Sequence, residues 1–332
     1  MYFILGISLT LAFLLIVNML VAIFASTLWR VGSSLVKDFS VNARAQIIFG
    51  LRILPVAASL IFVAVFLIPA YLLLEPNSSG ESVSAKLALI AFISSIGVFI
   101  ALYRVLETWN VTRRLVTNWL NNAVEMNLHG LSVPVYRIKH QFPVIAVIGI
   151  FRPKMFVAEQ VLESLDQNEF RAAIAHEYGH LRANDNFKRT ILRVCRDLLI
   201  LPLGKGLDMA WAENAESVAD EYAAQTGRSK AIDLASALVK IARIVPANAR
   251  PAMPAGAFLI GEPNLDITSR VRRLIRLSEK RGVSSQRRIL GFPPVAWLWA
   301  SALTVLLVLP LIDPRFLSST HDAIENFVRI LN

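Results

Sequence analysis

A single cysteine in 332 residues excludes an intrachain disulfide and any cysteine-rich metal centre. Charge is scarce as well: 17% of residues are Asp, Glu, Lys or Arg against 55% hydrophobic, and mean hydropathy is +0.54. So thin a polar fraction argues against a simple soluble globule and for several membrane spans. Internal repeats are lacking, and so is any basic patch interleaved with aromatics. The formal charge of +10 therefore does not point to nucleic acid. Its Lys and Arg crowd beside apolar runs and within one long polar segment, as the positive-inside rule expects.

What is present begins with an apolar run, Tyr2 to Leu28, with no Lys or Arg before it and Arg30 after it. A signal peptide needs a positive start and a shorter core, so the run reads as an uncleaved span with its N-terminus outside. Further spans are expected at Ile53–Leu74, Lys86–Leu106 and Pro293–Leu311. A basic linker from Arg30 to Arg52 would be cytoplasmic, and the turn-rich Glu75–Ala85 external. Pro69 is expected to kink the last turns of the second span. The fold class is then an α-helical multi-pass membrane protein of about four spans with a cytoplasmic α+β domain, whose chemistry the following motifs define. Its division is a membrane region over 1–106, the cytoplasmic domain over 107–290, a fourth span over 293–311 and a short external tail over 313–332. The patch Leu198 to Leu203 is too short to cross and reads as a buried helix end before Pro202, with a re-entrant segment as the other possibility.

The chemistry is concentrated in FRAAIAHEYGHLRANDN, Phe170 to Asn186. His176 and His180 are four apart and share one helical face, so both imidazoles can reach one metal ion. Glu177 lies about 100° round the helix, placed to act on a water at that metal. Asp166 and Glu169 form a capping box that starts the helix. Two histidines leave a zinc site short of its usual three protein ligands. WAENAESVADEYAAQT supplies the third on a second helix: Glu216 as ligand, with Asp220 four residues on to hold a ligand histidine by its outer N–H. Glu213 and Glu221 compete on bare chemistry. One Zn2+ per subunit is implied, with Glu177 as catalytic base in peptide-bond hydrolysis. Arg270 is a candidate for transition-state support, although a solvated position in a basic helix is the expected alternative. Asp185 and Asn186 read as caps of the next helix, with support of a metal ligand as the lesser alternative, and Cys195 as a buried thiol. His129, His140 and His321 have no partner at ligand spacing.

Strands are expected at Val133–Ile138 and Val144–Ile150, which are rich in β-branched residues, and over the shorter Met155–Val157, with Gly149 and Pro153 punctuating them. An edge strand there would let a substrate peptide pair alongside. The partners are thus a protein or peptide substrate and membrane lipid, with no nucleic acid.

HEYGHLRANDN together with ESVAD resembles the integral-membrane gluzincin peptidases. The span layout and the segment GIFRPKMFVAEQVLESLDQNEFRAAIAHEYGHLRANDN are similar to the BlaR/MecR-type receptor peptidases. The E-x-x-A-D form is similar to the HtpX and CAAX prenyl peptidase branch. In that branch a His-Pro pair precedes R-[IV]-x-x-L; here Glu262-Pro263 precedes Arg270-Val271-x-x-Leu274, without the histidine. The resemblance implies that His176, His180 and Glu216 bind zinc, Glu177 is the base and Asp220 supports a ligand. It implies regulated cleavage of a cytosolic or membrane protein, with β-lactam sensing not carried over because only 313–332 follows the last span. A non-catalytic zinc-binding scaffold and a quality-control protease are the alternatives.

Overall fold

The computed structural model describes residues 2–75, 83–128, 130–199, 201–227, 229–245, 267–280 and 315–331. The expected fourth span, most of the Glu75–Ala85 loop, His129 and the Glu262-Pro263 pair lie outside them. Helix α1 (Tyr2–Gly32), α2 (Val41–Ile61) continuing through a π-helical turn (Phe62–Leu67) into α3 (Ile68–Leu74), and α4 (Ala85–Leu120) are long and apolar enough to cross a membrane. The π turn has a local cause. Pro69 brings no N–H, so the helix widens just upstream, and the Ile68 N–H bonds back five residues to the Val63 carbonyl.

The basic linker is shorter than expected. Ser40 caps α2, its hydroxyl accepting from the Ala43 N–H, so Arg44 and Arg52 are helical. Arg52 is buried and bonds Asp208 at 2.7 Å. Beyond Leu106, α4 continues to Leu120 and leaves the apolar region as a rigid strut. Its Leu115, Val116, Trp119 and Leu120 pack on the core of the following domain, and Trp119 meets Phe156 edge-on at 5.1 Å.

That domain opens on a four-stranded sheet, β1 (Val124–Met126), β2 (Val135–Ile138), β3 (Ile145–Ile148) and β4 (Lys154–Ala158), in the order β1-β2-β4-β3. β2 and β4 are parallel; the outer pairs are antiparallel. β3 and β4 form a hairpin whose turn begins at Gly149, with φ +107°, a backbone angle that favours glycine. Strand β1 has no alternating pattern and was not expected.

Helix α5 (Glu159–Ser164) leads to α6 (Gln167–Arg182), α7 (Asp185–Asp197), α8 (Lys205–Gln225), α9 (Lys230–Ile244) and α10 (Ile267–Lys280). One core joins the sheet to the inner faces of α6, α8, α9 and α10, with Phe156, Leu234, Leu238 and Leu274 at its centre. Helix α11 (Arg315–Leu331) lays Ile324 and Val328 against Leu5, Leu9 and Tyr71 beside α1 and α3.

Candidate metal centre

The expected capping box is present. The Asp166 carboxylate accepts from Asn168 and Glu169 N–H groups, and Glu169 accepts from the Asp166 N–H at 2.8 Å. Glu169 also takes Lys240 and Ser236 of α9, both at 2.6 Å, which locks α6 to the core. Along α6, Ala172, Ala173 and Gly179 are buried with His176 and Glu177. Gly179 permits α8 to come close: a β-carbon there would stand 3.0 Å from the Ala219 Cα. That approach places Glu216, one turn before Ala219, against the histidine pair.

Three donors converge. Nε2 of His176 and Nε2 of His180 are 3.2 Å apart, and the Glu216 carboxylate lies 3.5 Å from each, through a different oxygen. A tetrahedral zinc with bonds of 2.0–2.1 Å spaces its ligands by about 3.3–3.4 Å, so the triangle has the right edges. Both Nδ1 sides are committed elsewhere. His180 Nδ1 donates to Asp185 at 2.7 Å, and His176 Nδ1 faces the Asp220 carboxylate at 3.0 Å. Each ring therefore turns its Nε2 lone pair inward. Two lone pairs facing each other at this distance repel unless a cation lies between them, and Glu216 Oε2 is buried without a hydrogen bond. The donor set fits a zinc ion.

The carboxylates around it are held ionised. Burial would raise the Asp220 pKa, but Arg270 and His176 bring it well below the usual carboxylate range; for Glu216, His180 and Arg270 do the same against burial. Burial would lower the His180 pKa, yet Glu216 and Asp185 push it up to about 10. The ring and Glu216 thus call for positive charge between them, which a divalent cation supplies in place of a proton. Glu177 differs: burial raises its pKa, and His180, His176 and the Val147 backbone of β3 only partly offset this. Its Oε1 is buried with no hydrogen-bond partner.

Arg270 is not solvated as the bland alternative had it. It is 5% exposed, donates to both Asp220 oxygens (2.7 and 3.3 Å), and lies 3.2 Å from Glu216. The reason is the helical face it shares with Leu274, four residues on and buried in the core. Asp185 and Asn186 do not cap α7; for Asp185 the alternative, support of a metal ligand, fits the structure. The cap of α7 is Asn184, in the left-handed region at φ 55°. Asp185 serves His180 instead, and the Asn186 amide donates to the Val147 and Gly149 carbonyls. β3 is thus the last strand of the sheet but not a bare edge: the Asn186 amide occupies its Val147 carbonyl, and all four of its residues are buried. Sequence reasoning also missed Arg189, 3.3 Å from Glu216, and Arg273, which donates to Asp220 at 3.0 Å. Their spacings were the available signal: Arg189 falls four after Asp185, and Arg273 three after Arg270. Of the competing acids, Glu213 is exposed and Glu221 faces Arg273 and Arg44. His140 bonds the Phe142 backbone, His321 pairs with Glu325, and Cys195 is buried.

A small mixed sheet followed by a helix with two inward histidines and a glutamate from a second helix defines a zincin-like metallopeptidase. The model of peptidase family M48 matches residues 113–321, more than half of the chain. The chain belongs to that family, and carries three candidate membrane helices ahead of the match and overlapping its start. No curated protein matches it.

Proposed function

We propose that the protein is a membrane-bound zinc endopeptidase with one Zn2+ per subunit, held by His176, His180 and Glu216. The single observation that carries this is the buried Glu177 carboxylate beside three converging donors. A zinc ion there supplies Lewis-acid polarisation of the scissile carbonyl and lowers the pKa of bound water towards ~7. Glu177, with its raised pKa, takes a proton from the attacking water and returns it to the departing amine. Asp220 and Asp185 fix the two rings so that Nε2 faces inward. Arg270, tied to Asp220, stands near enough to His176 (3.5 Å) to favour developing negative charge.

The reading extends to four spans, with the N-terminus outside and the peptidase domain of 107–290 cytoplasmic, supported by the basic residues that follow the first and third spans. Substrates are cytosolic or membrane proteins, cleaved in regulatory proteolysis. Glu177→Gln, purified in detergent, should keep one zinc per chain by elemental analysis yet lose cleavage of a self-derived or trapped substrate by at least 100-fold. Zinc retained with turnover unchanged would remove Glu177 from the chemistry.

A further inference from the structure

The turn between α7 and α8 stands apart from the metal chemistry. The last carbonyls of α7 press on a membrane helix: a β-carbon at Gly97 of α4 would lie 3.6 Å from the Leu198 oxygen and 3.7 Å from that of Asp197. Leu198 also closes a small cavity lined by Leu14 and Asn18 of α1, Ser59 of α2 and Ser94 of α4. Gly97 lies seven residues before Arg104, the first charge at that end of α4, and Ser59 seven after Arg52, the last charge on α2. At 1.5 Å per residue, Leu198 is level with points roughly 10 Å inside both apolar segments.

The charges bracket this intrusion. Asp197, just before it, takes Arg104 at 2.7 Å, and Asp208, just after it, takes Arg52 at 2.7 Å. Between the acids the turn exposes Leu201 (48%) and Pro202, with Leu198 and Leu203 half-buried and Leu199 buried beneath them. Such an arrangement is costly in water and favourable in lipid, where arginines gather at the boundary and leucines go below it. A second feature marks the same side. Phe151, at the tip of the β3–β4 hairpin, is 78% exposed and meets Trp109 of α4 edge-on at 6.2 Å, an aromatic pair at the depth where such residues line the headgroup region.

We propose that the α7–α8 turn is inserted into the bilayer leaflet nearest the peptidase domain, its exposed Leu201 touching lipid acyl chains alongside the three spans. Continuity with α4 at Gly97 and the paired arginines at the rim select lipid as the occupant. Helix α7, 13 residues and so about 20 Å long, then ties the metal centre to the membrane, because Asp185 at its start holds His180. The inference depends on the membrane spans and not on catalysis.

Spin labelling in lipid nanodiscs tests it. In a Cys195→Ala background, Leu201→Cys is compared with Phe99→Cys, on the exposed face of α4, and with Gln167→Cys, exposed at the start of α6. The expected result is a ratio of oxygen to water-soluble nickel collisions at residue 201 matching residue 99 and several-fold above residue 167. A ratio equal to that at residue 167 would overturn the proposal. Should Leu201→Cys fail to fold, the unmodified protein is irradiated in vesicles containing a lipid with a diazirine in its acyl chain. Adducts on the peptide holding Leu198–Gly204 support insertion; adducts confined to α1–α4 refute it. Both readouts are blind to zinc and turnover, so a negative outcome leaves the peptidase reading intact.

Discussion

Replacing Asp220 with Asn removes one negative charge from a position that is fully buried and contacts Arg270, Arg273 and His176. Breaking a buried ion pair by deleting one partner costs about 3–5 kcal/mol, because the other charge is left uncompensated. Two features push towards the lower end: Asn keeps one oxygen to accept from Arg270, and Arg273 retains the Ser217 carbonyl at 2.9 Å. A loss near ~3 kcal/mol corresponds to roughly 6–12 °C in Tm for a domain of this size. Zinc affinity should fall by about 10–100-fold as His176 loses its orienting partner. Thermal scans in detergent, with and without chelator, and competition with a zinc-sensing dye measure the two effects. Adding Arg273→Met should restore part of the stability by removing the stranded guanidinium, but none of the zinc affinity. An Asn variant within a degree of the parent, with unchanged zinc affinity, would refute the account of Asp220 as the electrostatic anchor of the site.

Gly179→Ala sets two effects against each other. Helix propensity improves by about 0.8–1.0 kcal/mol, while overpacking against the Ala219 backbone, which cannot rotate away, costs about 1–3 kcal/mol. The expected net is a lower Tm and weaker zinc binding, since α8 carries Glu216 outward; zinc titration of the purified variant checks it. Glu169→Gln addresses acid stability. Burial raises the Glu169 pKa, but Lys240, Ser236 and the Asp166 N–H bring it below the ordinary 4.5, and the Glu169 and Asn168 N–H groups lower that of Asp166. A depressed folded pKa gives stability that is present above the unfolded value and lost as pH falls through the folded one. The parent should therefore lose Tm steeply below about pH 4.5, and the variant should start lower and fall less; parallel curves would sink the assignment.

Helix α6 was legible because its signals are local: the capping box, the apolar face and the i, i+4 histidines all lie within seventeen residues. Glu216 was reachable for a related reason, since Asp220 shares its face one turn later. Arg270 was misjudged because it was weighed by composition, among four arginines in eleven residues. Its pairing with Leu274 at i, i+4 already implied an inward position. Asn186 could not be read at all, since its role depends on the β3 hairpin folding back to meet the start of α7. The π turn likewise follows from how one proline is accommodated. Arg52 seemed a linker charge because runs of hydropathy mark where a membrane begins, not where a helix does.

The charges at the centre explain why these arginines accompany the metal ligands. Glu177, Asp185, Glu216 and Asp220 bring four negative charges into a volume that excludes water, where each unpaired ion is expensive. Arg189, Arg270 and Arg273 offset three of them, each within 3.3 Å of Glu216 or Asp220. Lys188, 3.9 Å from Asp185, offsets the fourth, so with both rings neutral a divalent cation brings a net positive charge to the centre. Glu177 feels Arg270 only through space and, among the described residues, forms no ion pair with a guanidinium. The ligand and its supports are thereby kept anionic and fixed, while the one carboxylate that must accept and release a proton is spared a salt bridge that would hold it permanently ionised.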